Sequence, residues 1–225
     1  MAATLTRSQF ETACKAYVAK HSAPEGSTLL NGYPTGWTWR EHALLPHLGY
    51  LSRSVLVLQE PKQLASEEES DDGMTSDAND ADVDPSAAAT STTEVLTVQQ
   101  HVVRSATFQV PTFYWTMHRR DGTPLSLDEM LTTGFLRTTS LPEHDKSRFA
   151  LSPPDSPFPL LSQGDHPILG TPSWYLHPCH SAEAVAELLS EVHIDEWSEE
   201  ECLLGWLELW FVVLGGVVDL GSGCS

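Results

Sequence analysis

Cys179 stands in the run His177-Pro178-Cys179-His180, a thiol between two imidazoles. The thiolate is the nucleophilic form of cysteine, and positive surroundings favour it. Ser181 reads as the N-cap of a helix whose apolar stripe is Ala182, Val185, Leu188, Leu189 and Val192. A helix start offers unpaired N–H groups and the positive end of the dipole, so Cys179 is placed where negative charge is favoured. Pro178 fixes the backbone just before the sulfur. By itself the tetrapeptide leaves a packed or bystander cysteine open as the alternative.

Two other chemistries draw on the same residues. A zinc site would need Cys179, His177, His180, His166 and Cys202, but their spacing matches no common closed zinc pattern, and one loop would crowd three ligands together. A cysteine protease needs a separate orienting histidine, for which His101, His118, His144 and His166 are available. No protease signature surrounds Cys179, however. The other cysteines, Cys14, Cys202 and Cys224, are scattered and form no C-x-x-C pair. With no basic-then-apolar leader at the N-terminus, they predict reduced thiols in the cytoplasm.

The elements that must position Cys179 follow from periodicity. Thr6–His21 reads as an amphipathic helix with Phe10, Cys14, Tyr17 and Val18 on one face, which makes Cys14 a packing residue. Pro24–Gly36 reads as a connecting loop. Trp37–Arg40 and Gly49–Gln59 read as strands, as do Glu94–Ser105 and Thr107–His118. The last carries Phe108, Val110, Phe113, Tyr114, Trp115 and Met117, apolar on both faces, and predicts a central strand or one that meets a partner. Pro111 within it marks a bulge or an edge-facing position.

Arg120-Asp121-Gly122 reads as a turn. Ser126-Leu127-Asp128-Glu129 fits a capping box, and so does Ser198-Glu199-Glu200-Glu201, which opens a terminal helix presenting Leu203, Leu207, Trp210 and Leu214. Ser152–Pro159, with four prolines in eight residues, is loop, and Ser173–His177 is a short extended piece leading to Cys179. Helix, four strands, then helices predict an α+β domain with an antiparallel, roughly four-stranded sheet covered by helices.

Composition narrows the function. The formal charge is −19, and residues 67–84 hold nine of the 31 acidic residues. An acidic chain lacks the electrostatic footprint of a nucleic-acid or anionic-membrane binder. The apolar stretch Leu203–Leu220 is interrupted by Glu208 and Asp219, and only ten residues separate those acids. That is short of the ~20 that span a bilayer. Ser66–Ala89 is Ser, Asp, Glu and Ala with almost no large apolar residue, so it reads as a disordered insertion. The whole chain, 1–225, is then one domain interrupted at 60–93.

The stretch His166-Pro-Ile-Leu-Gly-Thr-Pro-Ser-Trp-Tyr-Leu-His-Pro-Cys179 resembles the active-site segment of the autophagy-related protein 10 family. A second block, Phe108-Gln-Val-Pro111 and then Asp121-Gly-Thr-Pro-Leu-Ser-Leu127, is similar to that family's Tyr-x-Val-Pro strand and Asp-Gly-x-Pro-Leu turn. The strong matches cover 106–127 and 166–192. Trp37-Thr-Trp-Arg40 is a weaker echo, and 60–93 lies outside the pattern. His-Pro-Cys is shared with autophagy-related protein 3; the His-Pro-Ile-Leu-Gly lead-in and the chain length favour protein 10.

The resemblance implies a ubiquitin-conjugating-enzyme-like fold and a two-step acyl transfer. Cys179 would accept the ubiquitin-like autophagy-related protein 12 as a thioester from the activating enzyme, autophagy-related protein 7. A lysine of autophagy-related protein 5 would then take it, with no cofactor at this subunit. Ubiquitin-conjugating enzymes proper use the Asn of a His-Pro-Asn motif at the oxyanion. This chain has no such motif, and His177 is the substitute, with a turn-stabilising role as its alternative. Phe108 stands where the family carries a Tyr, and it reads as core. The aromatic strand offers a sheet edge for protein 5. The expected location is the cytoplasm, with recruitment to pre-autophagosomal structures. A lipid-conjugating enzyme like protein 3 and a non-catalytic binding module are the other readings.

Overall fold

Three long strands dominate the chain, and their alternation dictates how everything else packs. In the computed structural model, residues 4–22, 29–30, 32–45, 47–59, 93–137, 145–153, 158–192 and 196–221 are described. Strands β4 (Gly49–Gln59), β5 (Glu94–Arg104) and β6 (Pro111–His118) form an antiparallel meander, with Leu51 opposite Val102 and Val102 opposite Phe113. Side chains alternate across a sheet. Leu51, Val57, Leu96, Val98, Val102, Phe113, Trp115 and Met117 therefore share one buried face, while Tyr50, His101 and Tyr114 share the other.

The first face is covered by helices. Helix α1 (Arg7–Lys20) starts at a capping box in which Thr6 and Gln9 satisfy each other's exposed amides. It buries Phe10, Ala13, Cys14 and Tyr17. Helix α4 (Glu199–Gly215) starts at the Ser198–Glu201 capping box and buries Leu203, Leu207, Trp210 and Leu214, the four residues expected from periodicity, together with Trp206 and Phe211. Glu208, on the same helix, is nearly buried and accepts from Nζ of Lys20 at 2.8 Å, while His21 Nε2 lies 2.6 Å from the same oxygen. The end of α1 is thereby tied to the middle of α4. Short α2 (Leu127–Leu131) follows its own Ser126–Glu129 capping box.

The sheet is larger than the sequence predicts. With β3 (Thr38–Glu41) at one edge, its order is β3-β4-β5-β6-β10-β9-β8-β7, eight antiparallel strands instead of roughly four. The additions are β7 (Asp145–Lys146), β8 (Ala150–Ser152) and β9 (Leu161–Asp165), and the extended piece before Cys179 is a full member, β10 (Pro172–Leu176). Strand β9 reads Leu-Ser-Gln-Gly-Asp, with a single apolar residue to mark it, and β7 is two charged residues. Strands near an exposed edge bury little, so their sequences carry no hydrophobic alternation.

Further departures are local. Pro24–Gly36 holds a small hairpin of β1 (Leu29–Leu30) and β2 (Tyr33–Pro34), turned by Gly32 at φ +83°. The strand expected from Thr107 begins at Pro111, which is its first residue, where a missing N–H costs no interior ladder bond. β6 lies between β5 and β10, so the aromatic strand is central and offers no edge; the sheet's outer strands are β3 (Thr38–Glu41) and β7. The insertion from 60 to 92 and Pro154–Pro157 within the proline-rich loop lie outside the described residues.

Candidate active site

Cys179 sits in a single 3-10 turn, Pro178–His180, between β10 and helix α3 (Ser181–Ser190). Three constraints place it. β10 is held on both sides, with Trp174 opposite Trp115 and Leu176 opposite Leu161. The His177 N–H then donates to the Leu160 carbonyl at 2.9 Å, which fixes the chain at the point where it leaves the sheet. Pro178 is buried, and its carbonyl accepts both the Ser181 N–H and the Ser181 hydroxyl, the latter at 2.9 Å. Ser181 is thus the first residue of α3 and closes the turn, where the sequence predicts an N-cap. The turn occupies the place of the cap because Pro178 presets its backbone.

The thiols differ in setting. Cys14 is wholly buried, and burial, followed by the nearby Glu11 charge, pushes its pKa well above the ordinary value. Such a thiol is protonated and inert, as its place in the helix pattern predicts. Cys179 and Cys202 are half-buried. Of these three described thiols, only Cys179 stands on a turn leading into a helix, where the backbone and dipole favour the thiolate. Cys224 and the His144 and His180 side chains lie outside the described residues.

His177 is gripped by two phenylalanines. Phe158 stacks on the imidazole at 5.0 Å and 15°, and Phe108 meets it edge-on at 5.2 Å and 76°. Phe108 is 36% exposed. It is therefore part of the wall around His177, a correction to its reading as core. The reason is the loop before β6. Gln109 has φ +56°, a left-handed conformation that costs a non-glycine residue ~1 kcal/mol or more. Leu5 N–H donates to the Gln109 carbonyl at 2.8 Å and Ser105 N–H to the Val110 carbonyl at 2.9 Å, holding that twist. The twist takes Phe108 out of the strand's alternation. Nothing in the sequence marks Gln109, because glycine is the usual sign of such a turn.

The motif residue His166 is elsewhere. It opens the β9–β10 turn, with its Nδ1 accepting from the N–H groups of Ile168 and Leu169 at 3.2 and 3.1 Å. Gly170, at φ +65°, completes that turn and donates to the His166 carbonyl at 2.8 Å. The ring packs against Tyr50, His101 and Tyr114 on the sheet face opposite the helices. Burial holds His166 and His101 down to a pKa of about 4 each. The His-Pro-Ile-Leu-Gly segment is thus a register-setting turn that fixes where β10, and hence Cys179, emerges. His118 forms its own bridge to Pro124 at the far end of β6, and His101 packs against His166. Among the described residues, no three His, Cys, Asp or Glu side chains stand together as a metal site.

An antiparallel sheet backed on one face by helices, with a cysteine at the turn between a central strand and a helix, is the arrangement of a ubiquitin-conjugating-like domain. The family model described as "Autophagocytosis associated protein, active-site domain" matches residues 9–222, and the chain belongs to that family. Its curated relatives carry the name ubiquitin-like-conjugating enzyme ATG10, in agreement with the resemblance read from the sequence. The Homo sapiens protein is 29% identical over 147 residues, which is 65% of this chain and 58% of that protein. The Arabidopsis thaliana protein is 30% identical over 120 residues, 53% of this chain and 48% of the relative. The Dictyostelium discoideum protein is 28% identical over 134 residues, 56% of this chain and 52% of the relative. The chain thus spans about half the length of the curated relatives it matches.

Proposed function

We propose that this chain is a ubiquitin-like protein transferase of autophagy that carries its cargo as a thioester on Cys179. The observation that carries the reading is the setting of Cys179: half-buried, on a pinned turn at a helix start, inside a family whose matched region is an active-site domain. In the first step the Cys179 thiolate attacks the thioester carbonyl presented by the activating enzyme. The old C–S bond breaks, and that enzyme's thiol leaves. In the second, a lysine amine attacks the new thioester, Cys179 leaves as the thiolate, and the amine gives up a proton. Splitting one acyl transfer in two lowers each barrier. His177, two residues before Cys179 and held between Phe108 and Phe158, is the candidate for the orienting or oxyanion-stabilising group. The cargo is autophagy-related protein 12, the donor autophagy-related protein 7 and the acceptor a lysine of autophagy-related protein 5. The reaction takes place in the cytoplasm, with recruitment to pre-autophagosomal structures.

The test is thioester formation on a non-reducing gel with the activating enzyme, ATP and protein 12, run beside a protein 8-type modifier. The expected result is a thiol-sensitive adduct with protein 12 that is missing in Cys179→Ala. An adduct confined to the protein 8 type would move the assignment to a protein 3-like enzyme. No adduct from folded protein would leave a non-catalytic binding module.

A further inference from the structure

A cavity of about 340 Å³ opens at the end of the sheet where β4 begins and β5 stops, and two arginines line it: Arg7, the first residue of α1, and Arg104, the last of β5. Neither makes an ion pair among the described residues, in a chain with 12 Lys and Arg against 31 Asp and Glu. Each guanidinium is held by a backbone carbonyl instead. Arg104 Nε donates to the Leu5 carbonyl at 2.7 Å and Arg7 Nη1 to the His47 carbonyl at 3.2 Å. Burial first, and then the neighbouring Arg7 charge, lowers the Arg104 pKa, so the two cations are close enough to feel each other. The carboxylate in the wall, Glu11, stands one helical turn after Arg7 and yet pairs with Lys15 at 2.6 Å. Ser105 and Thr107 also line the cavity. Ser105 Oγ accepts from the Phe108 N–H at 3.2 Å, which leaves its own proton to donate.

Two like charges held in one cavity, oriented but not neutralised, favour an anion there. A guanidinium presents a rigid fork of N–H donors that matches the oxygens of a carboxylate or a phosphate. Charge separates these two ligands. A carboxylate neutralises one arginine, whereas a phosphate monoester, with a charge near −2 at neutral pH, neutralises both. We propose that this cavity is a binding site for a phosphate monoester, with Arg7 and Arg104 as its cationic arms and Ser105 and Thr107 as hydroxyl donors. A free small-molecule phosphate and a phosphorylated side chain of a partner offer the same chemistry. The lining residues Ser105, Ala106 and Thr107 lead directly to Phe108, whose ring meets His177 edge-on at 5.2 Å. A ligand here would therefore brace the loop that walls the candidate active site. The site itself does not depend on the thioester reading of Cys179.

The test is isothermal titration calorimetry of the full chain, at constant ionic strength, with inorganic phosphate, adenosine monophosphate and a short neutral peptide carrying phosphoserine. Acetate is the monoanion control. The expected result is saturable binding of a phosphate ligand and none of acetate at the same concentration. Tightest binding of the peptide would identify the source as a phosphorylated partner, and tightest binding of either other ligand a small molecule. Arg104→Gln should weaken binding about tenfold or more, through the loss of charged hydrogen bonds. Arg7→Gln, at an exposed position, serves as the second variant should Arg104→Gln fail to fold, as judged by thermal melting. Glu11→Gln should tighten binding, because it removes the opposing charge from the wall. No saturable binding of any phosphate ligand would overturn the site, as would equal binding by the wild type and the folded arginine variants. Acetate binding as tightly as phosphate would overturn the assignment to a phosphate monoester. None of these results bears on Cys179, which the gel assay tests separately.

Discussion

The β9–β10 hairpin carries a histidine near each end, and the two are built in opposite ways. His166 is buried, its Nδ1 occupied by two backbone N–H groups and its ring packed among Tyr50, His101 and Tyr114. His177 is only half-buried and lies between two phenylalanines that are themselves substantially exposed. Both belong to the stretch through which the sequence resembles its family, yet one is locked into the framework and the other lies two residues before Cys179 between partly exposed rings. A motif is thus a mixture of roles, and burial sorts them.

The sharpest way to break this contrast is at the nucleophile. Cys179→Ala should abolish the thioester adduct on non-reducing gels while leaving the thermal midpoint within a degree or two, since Cys179 is only half-buried. An adduct that persists would move the chemistry to another residue. At the other end, His166→Ala should cost about 2–3 kcal/mol of stability in urea denaturation, from the cavity and the two N–H groups left unpaired. Cys179 should still be alkylated by iodoacetamide in the fraction that folds. A stable variant that loses transfer activity would make His166 catalytic and dissolve the distinction.

The pH dependence sharpens the same contrast. His166 and His101 have folded pKa values of about 4 against an ordinary 6.5. The unfolded chain therefore takes up protons first as pH falls. The stability these groups contribute is complete above pH 6.5 and is lost between 6.5 and 4, with a slope of at most about 1.4 kcal/mol per pH unit for each histidine. His101→Gln should reduce that slope, which urea midpoints at pH 7, 5.5 and 4.5 would reveal. A flat profile would mean that neither ring is buried neutral. The smallest effect is expected at the sandwich. Phe108→Ala should slow transfer from Cys179 severalfold in single-turnover assays and cost under about 1 kcal/mol, because the ring is partly exposed and the contact is one edge-on pair.

Much of the frame was legible in the sequence because helix caps and core strands advertise themselves. Thr6, Ser126 and Ser198 each open a helix as expected, and Phe10, Cys14 and Tyr17 line one buried face. Cys179 and its turn were legible as well, through proline and helix-start chemistry. What escaped was structure that leaves no hydrophobic signature. Strands β7 to β9 bury only Leu151 and Leu161 deeply, so three of the sheet's eight strands were missed. The grip on His177 was missed because it depends on one left-handed residue, Gln109, and on Phe158 within a proline-rich stretch. Pro178 and Ser181 could be read locally, but they border a small cavity that is closed by α4, about thirty residues further on.

The meander also decides where this chain can be altered. Gln59 and Glu94 are opposite each other at one end of β4 and β5, whereas the end that leads to Cys179 through Arg104, Pro111 and Phe113 is the other. The 34 positions between Gln59 and Glu94 are therefore a graft point, remote from Cys179 by nearly the whole length of the paired strands. A fluorescent reporter or an affinity handle spliced there would travel with the protein without obstructing what docks at Cys179.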